Sequence, residues 1–120
     1  MGSLLVHITH GPEAPTRVAL AFLVAKTAVE SGHQVTLFLA GDAVSLLKDE
    51  VIASLSGLGT GSLSEHFSEL VAAEVPILAS TMSSKARGIT EEDLAGKGAK
   101  FGRPADLVEQ TFATDRVLSF

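Results

Sequence analysis

Three short stretches hold most of the side chains in this chain that could act on a ligand. They are Thr9-His10-Gly11, Gly41-Asp42 and Ser80-Thr81, the last running on through Met82-Ser83-Ser84-Lys85-Ala86-Arg87-Gly88. The third stretch combines hydroxyls, the amides of a starting helix and two cations, a set that suits an anion or a polar ligand. His10 is a candidate because it falls just past an apolar run rather than inside it. The other histidines carry less. His7 reads as a core histidine with a satisfied partner, His33 belongs to a turn, and His66 stands alone on a helix. His7 and His10 lie three apart on extended chain and point to opposite faces, so no metal site is expected.

Several familiar chemistries are excluded by residue type. Cysteine is absent, which removes thiolate nucleophiles, disulfides and Cys-based metal sites. Gly57-Leu58-Gly59-Thr60-Gly61 has Ser62 where a dinucleotide fingerprint needs glycine, and no strand precedes it, so it reads as a flexible connector. Gly96-Lys97 is followed by Gly98 rather than the Ser or Thr of a phosphate-binding loop. A Ser-x-x-Lys pair would need Ser at position 82, where Met82 stands.

The candidate residues need a scaffold, and the first third of the chain supplies it. Leu4 to Thr9 is a run of strand formers ended by His10-Gly11-Pro12. A helical stretch from about Pro15 to Ser31 stops at Gly32, and Val35 to Leu39 is a second strand ended by Gly41-Asp42. Strand, helix and strand of these lengths imply parallel strands and a right-handed crossover. A ligand is then expected at the carboxyl ends of the strands. Downstream, Asp42 is the expected cap of a short helix or helical turn over Ala43 to Ser54. Ser62 with Glu65 caps a helix to about Ala73, and Val75 to Ala79 is a third strand. Thr90 with Asp93 caps another turn, Ala99 to Phe101 is a minor strand, Pro104 opens a helix to about Ala113, and Arg116 to Phe120 closes the chain as a strand.

The chain has 120 residues, 46% of them hydrophobic, with a mean hydropathy of +0.34, enough for one domain (1–120) with a real core. Its net charge of −5 disfavours phosphate-backbone binding, and with six scattered Phe and no Trp or Tyr there is no stacking platform for nucleic acid. The longest apolar run, Val18 to Ala25, is too short for a membrane span. The start, Met1-Gly2-Ser3, has neither a basic region nor a cleavage site, so a cytoplasmic protein is expected. A helix that is apolar all round must be covered all round. One side is expected to pack on the sheet and part of the other on another subunit, through the helix containing Val18, Phe22 and Ala25; the alternative is cover by later helices of the same chain.

Three motifs in order resemble the DsrE/DsrF-like family of small sulfur-relay proteins. They are His10-Gly11-Pro12-Glu13 leading into Pro15-Thr16-Arg17, then Leu39-Ala40-Gly41-Asp42-Ala43-Val44, then Met82 to Gly88. The resemblance implies a three-layer α/β/α domain with a mainly parallel five-stranded sheet and flavodoxin-like wrapping. It also implies assembly into homo- or hetero-oligomers, often trimers or hexamers, and no cofactor. Family members that carry sulfur do so on a Cys persulfide eight residues before the Gly of the Ala-Arg-Gly end. Here that position is Ser80. A hydroxyl of high pKa cannot hold a persulfide, so sulfur transfer by this chain alone is not expected. Three readings follow: a non-catalytic protein binding a small ligand or anion, a structural or regulatory subunit beside a Cys-bearing paralogue, or an enzyme using Ser80 or His10. The candidate ligand-binding residues are His10, Gly11, Arg17, Asp42, Ser80, Ser83, Lys85 and Arg87, with no catalytic residue and no metal ligand among them.

Overall fold

The structure, a computed structural model, describes all of residues 1–120. In chain order it contains β1 (Ser3–Ile8), α1 (Pro15–Glu30), β2 (Gln34–Leu39), a 3-10 helix (Gly41–Leu47), α2 (Asp49–Ser54), β3 (Ser56–Gly57), β4 (Gly61–Ser62) and α3 (Leu63–Ala72). Then come β5 (Ile77–Ser80), α4 (Thr81–Ala86), α5 (Glu91–Leu94), β6 (Ala99–Gly102), α6 (Pro104–Ala113) and β7 (Arg116–Ser119). Five strands form one parallel sheet in the order β6-β5-β2-β1-β7.

That order decides where the helices go. The chain steps from β1 to β2, β5 and β6 in one direction, so right-handed crossovers put α1 to α5 on a single face. Only the return from β6 to the far edge at β7 runs the other way, and it carries α6 across the opposite face. The winding therefore reverses once, at the last crossover, whereas flavodoxin reverses after its first. The result is three layers of unequal weight. The first face holds a core of 23 buried residues, among them Val6, Ile8, Phe22, Leu37, Leu70 and Ile77. The second holds three: Leu5, Phe38 and Leu78.

Most of the apolar helix α1 is covered by its own chain, with Leu20 left 40% exposed. Phe22 stacks on Phe67 of α3 with ring centroids 5.7 Å apart. Lys26 Nζ reaches Glu69 Oε2 of α3 at 2.8 Å. Val18, Phe22 and Ala25 are fully buried within one chain and are not available to a subunit contact. A subunit contact on this helix would instead fall on its outer row, the exposed Leu20 beside the half-buried Leu23 and Val24. Part of the cover is the Gly57–Gly61 stretch, which is not a flexible connector. It is the turn of a hairpin pairing Ser56 with Ser62 and Gly57 with Gly61. Gly57 lies so close to α1 that a Cβ there would sit 2.9 Å from the Ala19 methyl. His66, 5% exposed, pins the hairpin to α3 through Nε2, 2.8 Å from the Thr60 carbonyl.

Two local details also differ from the sequence reading. Ala43 to Ser54 is not one helix: it divides into the 3-10 helix and α2, with Lys48 extended between them. Asp42 does not cap it, since Ala40 holds that position and Asp42 lies in the first turn. The other expected helix starts hold. The Ser62 hydroxyl accepts from the Glu65 amide at 3.3 Å, the Thr90 amide donates to Asp93 at 2.9 Å, and Pro104 opens α6.

Candidate functional site

The carboxyl ends of β1, β2 and β5 converge as the strand order requires. Gly11 is the tightest point: a Cβ there would lie 2.2 Å from the Asp42 carbonyl oxygen, so only glycine lets the two loops meet. Its amide donates to both carboxylate oxygens of Glu13, at 2.9 and 3.1 Å. Across the next gap the Gly41 amide donates to the Ser83 hydroxyl at 2.8 Å. Gly41 takes a positive φ of 58° to aim it. The Ser83 amide in turn donates to Ser80 Oγ at 3.2 Å, so the Ser80 hydroxyl is the N-cap of α4.

The cations divide three ways. Arg87 is spent internally: Nε donates to Asp42 Oδ1 at 3.1 Å and Nη1 to the Ser83 carbonyl at 3.2 Å. Lys85 is exposed, makes no ion pair or hydrogen bond, and is not drawn into the group. Arg17, in the first turn of α1, places Nη1 3.2 Å from His10 Nε2. A guanidinium can only donate, so Nε2 is the acceptor and the ring proton sits on Nδ1. That Nδ1 is buried and has no partner. It is one of five buried side-chain polar atoms in the chain that have bonding capacity to spare. No hydrogen bond joins His10 to Ser80, whose hydroxyl meets no base.

A second feature was not legible in the motifs. The chain leaving β5 turns to one face and the chain leaving the adjacent β6 turns to the other, so the topological switch point lies between Ser80 and Gly102. Thr81 Oγ1 bridges it by donating to the Gly102 carbonyl at 3.1 Å. Gly102 has little room for a side chain, since a Cβ would lie 3.2 Å from the Phe38 ring. Gly102 thus joins Thr81 in the strand-end group, although the sequence reading singled out only Thr81. The sequence signal was a lone glycine at the end of a minor strand.

The larger surface hollows lie elsewhere. One of about 480 Å³ opens at the amino ends beside Gly2, His33 and Asp115. Another of about 470 Å³ lies under α6, lined by Thr36, Leu78, Lys100 and Gln110. None of the five main hollows includes His10, Asp42 or Ser80. The strand-end group is a shallow polar shelf. His7, on the second face, meets the edge of Phe38 with ring centroids 6.0 Å apart. Its Nε2 is buried without the partner expected for it. Burial pushes its pKa below the ordinary histidine value. No group of three or more potential metal ligands forms, and no helix is long and apolar enough to cross a membrane.

The model of the DsrE/DsrF-like family matches residues 2–120, nearly the whole chain. The chain belongs to that family. Solved structures agree on the fold. The ychN protein from E. coli is 23% identical with full coverage of both chains and a TM-score of 0.76. A protein of unknown function, MTH1491 from Methanobacterium thermoautotrophicum, is 17% identical, also with full coverage of both chains, at a TM-score of 0.74. Another, BT1422 from Bacteroides thetaiotaomicron, is 15% identical over 99% of this chain and 95% of its own, at 0.73. No curated protein matches the chain in sequence. In this DsrE/DsrF-like protein the Ser80 hydroxyl caps α4.

Proposed function

We propose that this DsrE/DsrF-like protein is non-catalytic, holds a small anion at the carboxyl ends of its strands, and assembles with copies of itself. The observation that carries the ligand reading is the Arg17–His10 pair: the exposed guanidinium has only a neutral ring nitrogen as acceptor and no carboxylate, and the His10 Nδ1–H has no partner. The neighbouring Gly11 amide already binds a carboxylate, that of Glu13, so the local preference for an anionic acceptor is built in. Against catalysis stand the missing thiol and the engaged Ser80 hydroxyl, which no base can activate.

Inorganic phosphate is a suitable probe. A ligand that binds only the folded state raises stability by RT ln(1 + [L]/Kd). Phosphate at ionic strength matched with chloride should raise the melting temperature of the wild type. The Arg17→Ala variant should lose that shift. An equal shift in Arg17→Ala, or none in the wild type, contradicts the assignment.

A further inference from the structure

Helix α6 is turned the wrong way for a helix finished by its own chain. Its outward row, Ala105, Val108 and Phe112, is apolar and exposed, while Asp106, Gln110 and Thr114 join Leu107 on the half-buried side. Phe112 is 87% exposed and Val108 55%. The adjoining edge strand β7 adds Val117 and Leu118, also exposed. Phe120, just beyond β7, exchanges hydrogen bonds with β1 through both its amide and its carbonyl. By alternation Val117 and Ser119 turn their backbone groups to the free edge.

Charge indicates what covers this surface. Residues 99–120 hold three cations (Lys100, Arg103, Arg116) and three anions (Asp106, Glu109, Asp115). The whole net charge of −5 therefore falls on residues 1–98, with six cations against eleven anions. Two copies of an acidic protein repel over most of their surface but not here, where each presents a neutral face of mixed sign. We infer that α6 and β7 form the docking surface for a second copy of this chain, with Phe112 and Val108 as the buried anchors. The inference deepens the assembly half of the function proposed above and does not depend on the anion half.

Sedimentation velocity at micromolar concentration tests it. The wild type should sediment with at least twice the chain mass of 12.4 kDa. Phe112→Asp and, separately, Val108→Asp should halve that mass or reduce it further while leaving the circular dichroism spectrum unchanged. Leu58→Asp, at the 91% exposed tip of the hairpin on the other face, should have no effect on it. A wild type that is monomeric overturns both this surface and the assembly reading. A wild type that is oligomeric and stays so in both α6 variants overturns this surface alone.

Discussion

Phe22 on α1 and Phe112 on α6 are the same side chain on helices packed against opposite faces of one sheet. Phe22 is fully buried, stacked on Phe67, while Phe112 is 87% exposed. The difference is topological before it is compositional. Successive crossovers in one direction heap five helices and a hairpin on the first face, whereas a single return crossover gives the second face one helix of ten residues. The first face is covered for the most part within one chain, with Leu20 and Leu58 left exposed. The second has only Leu5, Phe38 and Leu78 beneath it and an apolar row above. Where a fold leaves a face thinly covered, the helix on it is free to direct its apolar side toward a neighbour.

Substitutions at matched residues sharpen this contrast. Phe22→Ala should cost roughly 3–5 kcal/mol in denaturant unfolding, through lost burial and the cavity left against Phe67. Phe112→Ala under dissociating conditions should change the same measurement by no more than about 0.5 kcal/mol, as exposed positions do. Equal costs at the two positions would dissolve the distinction between the faces. A smaller effect is expected at His7, whose pKa is lowered by burial on the second face. Because the unfolded chain then binds the proton more tightly than the folded one, stability is greatest above the unfolded value of about 6.5 and falls as pH drops below it. The wild type should lose more of its melting temperature than His7→Asn does on moving from pH about 7.5 to about 5.5. Parallel losses in the two proteins would show that His7 is not the titrating group.

Much of the scaffold was legible because parallel strands and their crossovers leave strong local signals. Leu4 to Thr9 and Val35 to Leu39 are apolar runs closed by glycine, and Pro104 opens a helix where proline costs nothing. The strand-end group followed from those boundaries. What failed was the question of which surface meets which. Val18 to Ala25 is apolar all round, and sequence gives no means of telling cover by α3 and the hairpin from cover by a subunit. The deciding contacts, Phe22 on Phe67 and Gly57 against Ala19, join residues far apart in the chain. Gly57 to Gly61 reads as slack because glycine is permissive, yet here glycine is what lets the hairpin lie against α1. Asp42 reads as a cap, and only the folded chain shows Arg87 beside it. The outward row of α6 is plain in the sequence as residues 105, 108 and 112. Its direction depends on how the helix docks, and that is a property of the sheet beneath it.

Backbone hydrogen exchange compares the two faces most directly. Wild type and Phe112→Asp should show the same protection throughout α1, whose cover is intramolecular. In α6 and β7 the variant should exchange faster than the wild type. Identical exchange in α6 and β7, or a loss of protection spread evenly over α1 as well, would contradict the account of one face finished by its own chain and one finished by another.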